Sequence, residues 1–98
     1  MAFEIIWTTI AIEDFRAVVV YLEEQWSAKT AQDFVDNLWG KIEILSMHPY
    51  LGKQSESDET VRRLLITKHN TLYYTLLEDT IIVLEIFDNR QNPDTLAY

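Results

Sequence analysis

This 98-residue chain contains no cysteine, and it has only two glycines and two prolines. Without cysteine, it can form neither a disulfide framework nor a thiolate zinc site. No apolar stretch approaches the roughly 20 residues that span a bilayer, and the N-terminal residues lack the basic start and long apolar run of a signal peptide. We therefore expect no membrane association and a cytoplasmic location.

Positive charge is also scarce. Eight Lys and Arg residues against 16 Asp and Glu residues give a net charge of −8. A field of this sign disfavours binding to phosphate backbones, so direct nucleic-acid binding would need a local basic patch. His48 and His69 stand far apart with no third ligand at a suitable spacing, and we expect neither a metal site nor a cofactor.

Apolar residues, by contrast, are abundant. They make up 48% of the chain, and 12 residues are aromatic: 4 Phe, 3 Trp and 5 Tyr. Such a chain can fill one hydrophobic core without metal or disulfide support. No repeat or linker divides it, so residues 1–98 are predicted to form a single domain.

The first half of the chain predicts a short strand and two helices. Phe3, Ile5 and Trp7 alternate as in a strand with one buried face. Apolar residues at three- and four-residue steps then predict helices at about 9–26 and 28–47, with Thr8 or Thr9 and Ser27 as N-caps. Their short connection predicts an antiparallel helical hairpin. Gly40 in the second helix suggests a close helix–helix approach.

The second half predicts an antiparallel meander. Runs rich in β-branched and aromatic residues cover 61–67, 71–77 and 81–87, separated by short polar gaps. The segment from Gly52 to Thr60 is polar without periodicity, and it is expected to be a mobile loop. The predicted fold class is therefore α+β, with an N-terminal strand, a helical hairpin and a three-stranded meander packed on the helices.

The facing of the meander depends on its turns. If Arg63, Thr75 and Glu85 face outward, alternation requires three-residue turns at 68–70 and 78–80. A two-residue Glu78-Asp79 turn would instead place Thr75 opposite Ile82. We prefer the three-residue turns. They place Leu64, Tyr74 and Leu84 in the core, together with Phe34 and Leu38 from the helices. Leu84→Asp should then unfold the domain.

The same facing leaves an outer sheet face that is unusually apolar. Its apolar members would be Leu65, Tyr73, Leu77, Ile81, Val83 and Phe87. A contiguous apolar surface of this kind usually marks an interface. We therefore expect this face to bind another protein, either a partner or a second copy of the chain.

Three features together resemble a known family. They are Arg63 early in the first meander strand, the Tyr73-Tyr74 pair in the second, and the stop Asp88-Asn89-Arg90-Gln91-Asn92-Pro93 after the third. This pattern resembles the RelE/ParE superfamily of small bacterial toxins, the plasmid stabilisation proteins of type II toxin–antitoxin pairs. The resemblance implies a toxin that a cognate antitoxin neutralises.

The superfamily that the chain resembles contains two activities. RelE-like members cleave mRNA on the ribosome through a cluster of basic and aromatic residues, whereas ParE-like members inhibit DNA gyrase by binding. The low positive charge and the absence of a His-Tyr ending favour the ParE-like, non-enzymatic branch. An mRNA endoribonuclease with Arg63 and Arg90 as catalytic candidates is the alternative. A non-toxic orphan member that serves as a dimeric binding module is a third possibility.

Individual residues have competing roles. Arg63 can bind phosphate or pair with a carboxylate. Arg90 can meet a target or pair locally with Asp88. Tyr74 is expected in the core. The residues predicted to contact the target or the antitoxin are Arg63, Leu65, Tyr73, Val83, Phe87 and Arg90.

Overall fold

A computed structural model describes residues 2–90 and 98 of the chain. The elements are β1 (Glu4–Trp7), α1 (Thr9–Gln25), α2 (Ala28–Met47), β2 (Lys53–Gln54), β3 (Val61–Thr67), β4 (Asn70–Leu77) and β5 (Thr80–Asp88). The strands form one sheet in the order β1-β5-β4-β3-β2. β1 runs parallel to β5, and the other neighbours are antiparallel. The predicted α+β class is confirmed, and β2 extends the meander by one short strand.

The two helices begin at the predicted caps. The Thr8 hydroxyl accepts from the amide of Ala11 at 3.1 Å and donates to the carbonyl of Leu84 at 3.0 Å, so this cap also ties α1 to the sheet. The Ser27 hydroxyl accepts from the amide of Thr30 at 3.1 Å. Each bond satisfies an amide that the first helical turn leaves free. In the part of the chain that the structure describes, no helix is long and apolar enough to cross a membrane.

One face of the helical hairpin packs against the sheet. The predicted burial of Phe34 and Leu38 is confirmed, and Ala31, Ile42 and Leu45 are buried beside them on α2. α1 contributes less, since Ala11 is its only fully buried residue and Trp26 at its end is exposed. A Cβ atom on Gly40 would meet nothing within 4 Å. The expected close approach at this glycine is therefore wrong.

Both meander turns are shorter than predicted. Leu77 pairs with Thr80 and Thr67 pairs with Asn70, so each turn contains two residues. Glu78 takes the left-handed backbone conformation, with φ of 54°. Thr75 stands opposite Ile82, which is the arrangement that the three-residue prediction rejected. The preference for three-residue turns was wrong.

An irregularity in β5 then reverses the facing a second time. Tyr74 pairs with Val83 but Tyr73 pairs with Glu85, which leaves Leu84 as an extra residue. An extra residue of this kind moves every later side chain to the opposite face. The predicted facing is therefore wrong for Ile81, Val83 and Leu84 but correct for Ile86. Ile81 and Val83 are fully buried in the main core, whereas Leu84 packs against a second cluster formed by Val61, Tyr73 and Phe87.

Candidate functional site

The segment between α2 and β3 is held in place by two meander residues. The Tyr74 hydroxyl donates to the carbonyl of Pro49 at 2.8 Å and accepts from the amide of Gly52 at 2.9 Å. The Arg62 guanidinium donates to the carbonyl of Gly52 at 2.7 Å and lies 5.0 Å from the centre of the Tyr50 ring. Tyr74 is fully buried, as predicted, and burial raises the pKa of its hydroxyl. These bonds fix the start of the segment that was expected to be mobile.

That fixed segment brings a second cation beside Arg63. β2 pairs with β3 so that Lys53 stands directly opposite Arg63, and both residues are exposed. Within residues 2–90 and 98, neither cation has a carboxylate within ion-pair distance. This pairing is not evident from the sequence, because a two-residue strand is too short to show periodicity.

Lys53 and Arg63 border a shallow cavity of about 370 Å³. Its other lining residues are apolar or uncharged: Leu51, Leu64, Leu65 and Thr71. Leu65 is about half exposed, at 53%. Like charges placed opposite each other destabilise a strand pair, so the two cations are poised to meet an anionic group. We call this cavity the Lys53–Arg63 site.

The outer sheet face is smaller than the sequence predicts. Tyr73 and Phe87 are on this face but are buried, and the ring of Tyr98 stacks on Tyr73 with centroids 6.2 Å apart. The main-chain oxygen of Tyr98 accepts from the hydroxyls of Ser55, at 2.6 Å, and of Ser57. Tyr98 therefore covers part of the apolar face within the chain itself.

Other members of the predicted face have different surroundings. Ile81 and Val83 have no exposed surface, so Val83 cannot contact a partner in the way that the sequence prediction required. Leu65 and Leu77 remain exposed. The contribution of these two leucines to binding stays a prediction.

Arg90 pairs locally. Its guanidinium donates two bonds of 2.9 Å to the carboxylate of Asp88 and lies 5.9 Å from the centre of the Tyr21 ring. The hydrogen bonds from Arg90 lower the pKa of the Asp88 carboxyl. The rest of the predicted stop, Gln91-Asn92-Pro93, lies outside the described residues. Arg90 and Arg63 are not brought together in one site, since each lines a different cavity.

Arg90 instead lies at a second and larger cavity, of about 770 Å³. We call it the helix–sheet groove, because it lies between the turn end of the helical hairpin and the ends of the meander strands. Its apolar wall contains Val18, Leu22, Trp26, Phe34 and Ile86, and its polar residues include Asp14, Asp33, Lys68, His69, Glu85 and Asp88. The sequence does not reveal this groove, because residues from both helices and from β3, β4 and β5 form it.

Two carboxyl groups of the groove, those of Asp14 on α1 and Glu85 on β5, lie beside the part of β5 that β1 leaves unpaired. β1 ends at the pair Trp7–Val83, and beyond it Asp14 accepts from the amide of Ile86 at 3.0 Å. The Oε2 atom of Glu85 is buried and has no hydrogen-bond partner among the described residues. Burial, and then the neighbouring Asp14 carboxylate, raise the pKa of Glu85. Burial likewise raises the pKa of Asp14 against the opposing bond from Ile86.

The chemical groups that line the Lys53–Arg63 site are the two cations, three leucines and one threonine. In the described part of the chain, no group of three or more His, Asp or Glu side chains is placed to hold a metal ion. The Lys53–Arg63 site offers positive charge, but its lining contains no carboxyl or imidazole group to transfer a proton.

When the sequence is compared with known protein families, one family model matches most of the chain. The model of the family described as ParE toxin of type II toxin-antitoxin system, parDE, matches residues 5–93. No curated protein matches the sequence.

Solved structures share the fold at low identity. The chromosomal ParDE TA system from P. aeruginosa is 19% identical with a TM-score of 0.75, over 89% of this chain and 96% of that chain. The YoeB dimer from Staphylococcus aureus is 16% identical with a TM-score of 0.64, over 87% and 94%. The YoeB/ParE toxin from Agrobacterium tumefaciens is 15% identical with a TM-score of 0.60, over 87% and 96%.

Proposed function

Because this chain belongs to the family of ParE toxins of type II toxin–antitoxin systems, we propose that it acts by binding and inhibiting a bacterial target such as DNA gyrase. A cognate antitoxin neutralises it, and both interactions take place in the cytoplasm. The family match over residues 5–93 carries this proposal. The domain would comprise residues 1–98.

The chemistry of the Lys53–Arg63 site supports inhibition by binding. General acid–base catalysis requires a side chain that takes up or releases a proton near neutral pH. The cavity around Arg63 and Lys53 is instead completed by leucines and one threonine. Two exposed cations beside the exposed Leu65 suit a contact with an acidic and apolar protein surface.

A ribosome-dependent mRNA endoribonuclease is the second candidate. It is favoured by the direct pairing of Lys53 with Arg63, because two adjacent cations can stabilise the charge that develops on a phosphate during RNA cleavage. The net charge of −8 opposes this candidate, since it weakens attraction to RNA.

Expression of the chain without its antitoxin separates the candidates. We expect growth arrest, altered plasmid supercoiling and intact mRNA, and we expect Arg63→Ala to reduce all effects on growth and supercoiling. Arg16→Ala is the matched control, because Arg16 is an exposed arginine on α1. Cleavage of mRNA in the ribosomal A site that Arg63→Ala abolishes would support the endoribonuclease. Unimpaired growth at full expression would indicate a non-toxic binding module.

A homodimer is a further part of the proposal. Leu65 and Leu77 are exposed on the outer sheet face, and their burial between two copies would remove apolar surface from water. Sedimentation of the purified chain, compared with a Leu65→Lys and Leu77→Lys variant, tests this directly. A monomeric parent chain would contradict it.

A further inference from the structure

We propose that Tyr50 and Leu51, together with the Lys53–Arg63 site, form the surface through which the chain binds the target that it inhibits. The matching surface of the target is an apolar pocket bordered by carboxylates. This inference rests on the proposed function, and it names the anchoring residues and the chemistry of the partner. The occupant is the target protein, not the antitoxin and not a second copy of the chain.

Tyr50 lies at the tip of a turn that follows α2. The amide of Leu51 donates to the carbonyl of His48 at 3.0 Å, which closes a four-residue turn with Pro49 at its second position. Proline is favoured there because its ring fixes the backbone in the required conformation. At the tip, Tyr50 is 69% exposed, and Leu51 beside it is 49% exposed.

Two meander side chains hold this turn in place. The Arg62 guanidinium donates to the carbonyls of Tyr50, at 3.3 Å, and of Gly52, at 2.7 Å, and the Tyr74 hydroxyl bonds to Pro49 and Gly52. Arg62 also lies over the Tyr50 ring, where cation–π attraction restrains the ring. An exposed aromatic side chain that is already restrained loses little conformational entropy on binding. Tyr50 is therefore a preorganised anchor.

The turn continues directly into the Lys53–Arg63 site. Leu51 lines the same cavity as the two cations, and so does the exposed Leu65. One aromatic ring, two leucines and two cations thus lie on one continuous surface. A buried aromatic anchor surrounded by charged groups is the composition typical of the residues that dominate protein–protein binding.

The charges on this surface favour an acidic partner. Lys53 and Arg63 stand directly opposite each other, and among the described residues neither has a carboxylate within ion-pair distance. Carboxylates of a partner would relieve the repulsion between the two cations. RNA is also anionic, but the net charge of −8 repels a long polyanion and an RNA backbone offers no pocket for Leu51. A few carboxylates around an apolar pocket match both the cations and the anchors.

Purified bacterial DNA gyrase is the probe for the test. It is titrated into the fluorescently labelled chain, so that fluorescence anisotropy gives the Kd, and inhibition of plasmid supercoiling is measured in parallel. Tyr50→Ser removes the anchor, and Tyr50→Phe keeps the ring. Tyr21→Ser is the matched control, because Tyr21 is also an exposed tyrosine with an arginine, Arg90, near its ring. Thermal unfolding verifies that each variant is folded.

We expect Tyr50→Ser to weaken binding about 30-fold, which is the effect of removing an aromatic residue that dominates an interface. Tyr50→Phe and Tyr21→Ser should bind as tightly as the parent chain does. Inhibition of supercoiling should follow the same order.

Salt separates the contribution of the cations from that of the anchor. Lys53→Gln with Arg63→Gln should weaken binding about tenfold and remove most of its dependence on salt, because ions screen attraction between exposed charges. Arg16→Gln with Lys29→Gln changes the net charge equally at exposed positions, and it should retain the salt dependence of the parent chain. Tyr50→Ser should retain it as well.

Four results would overturn the inference while the parent chain still inhibits gyrase. They are unchanged binding by Tyr50→Ser, an equal loss in Tyr21→Ser, and salt dependence that persists without Lys53 and Arg63. The fourth is a Tyr50→Ser chain that inhibits gyrase normally but escapes the antitoxin, which would make the antitoxin the occupant. A dimer that Tyr50→Ser dissociates would likewise identify a second copy as the occupant.

Growth of expressing cells covers a target other than gyrase. If the parent chain arrests growth without binding gyrase, Tyr50→Ser should relieve the arrest while Tyr50→Phe and Tyr21→Ser retain it, and any other order would overturn the inference. Cleavage of mRNA by the parent chain would assign the surface to RNA instead. A parent chain that neither arrests growth nor binds gyrase would overturn the proposed function and this inference with it.

Discussion

At the residue scale, the two glycines occupy opposite surroundings. A Cβ atom on Gly52 would lie 2.7 Å from the Tyr74 hydroxyl and 2.8 Å from the main-chain oxygen of Arg63. A Cβ atom on Gly40 would meet nothing within 4 Å. Gly52 therefore permits the close approach that positions β2 and Lys53, whereas Gly40 only reduces the helical preference of α2.

Alanine at the two positions should have opposite effects on stability. Gly52→Ala should lower the free energy of unfolding by about 1–3 kcal/mol, because main-chain atoms cannot yield as a flexible side chain would. Gly40→Ala should raise it by about 1 kcal/mol, since alanine is the better helix former. Urea denaturation measures both changes. A stabilised Gly52→Ala variant would contradict the close packing of Gly52 against Tyr74.

At the scale of elements, the sequence identified every long helix and strand but not the register of the last strand. Periodicity places α2 well, because one continuous stripe decides its buried face. In β5, a turn one residue shorter than expected and an extra residue at Leu84 reverse the facing twice. Alternating polar and apolar residues reveal neither event, because Ile81, Ile82, Val83 and Leu84 are all apolar.

The candidate sites were less predictable than the elements. Arg63 and Leu65 were identified from one strand, and both line the Lys53–Arg63 site. Lys53 was missed because β2 exists only through its pairing with β3. Asp14 and Glu85 lie far apart in the sequence. They approach each other only because β1 ends at Trp7 and leaves the edge of β5 beyond Val83 unpaired.

Aspartate substitutions in β5 test the observed register. Val83→Asp should unfold the domain, because Val83 is completely buried and an unpaired buried charge costs several kcal/mol. Leu84→Asp should remain folded with a smaller loss, since Leu84 is only half-buried beside the second cluster. Circular dichroism and thermal unfolding distinguish the variants. A folded Val83→Asp protein together with an unfolded Leu84→Asp protein would restore the register expected from the sequence.

At the scale of the whole molecule, contacts between distant parts of the chain cover part of the outer sheet face. Tyr98 stacks on Tyr73 and bonds to the Ser55 and Ser57 hydroxyls, so the polar segment before β3 and the last residue restrain each other. Tyr98 therefore links the segment before β3 to Tyr73 of β4, and the sequence around neither residue predicts this contact.

Removal of the Tyr98 ring should loosen this contact. Tyr98→Ala should lower the free energy of unfolding by about 1 kcal/mol, the contribution typical of a stacked aromatic pair. Tyr98→Phe keeps the ring and is the control. Amide hydrogen exchange of Tyr73 and Val61 should accelerate in Tyr98→Ala alone. Unchanged exchange would mean that the ring does not protect the outer face.

The net charge of the chain is −8, and the effect of one of its acidic groups, Glu85, on stability can be measured by varying the pH. Burial and Asp14 raise the pKa of Glu85 in the folded chain, so the folded state binds a proton more tightly than the unfolded state does. The contribution of Glu85 to stability is therefore greatest below its ordinary pKa and is lost as pH rises through the raised value. Glu85→Gln should consequently stabilise the domain near neutral pH, with a gain that shrinks as the pH falls through the raised pKa of Glu85 and vanishes below its ordinary value of 4.5. Glu23→Gln changes the net charge by the same single unit at an exposed position, and it should show no such pH dependence. Thermal unfolding of both variants across this range gives the comparison, and equal pH profiles would exclude a destabilising Asp14–Glu85 pair.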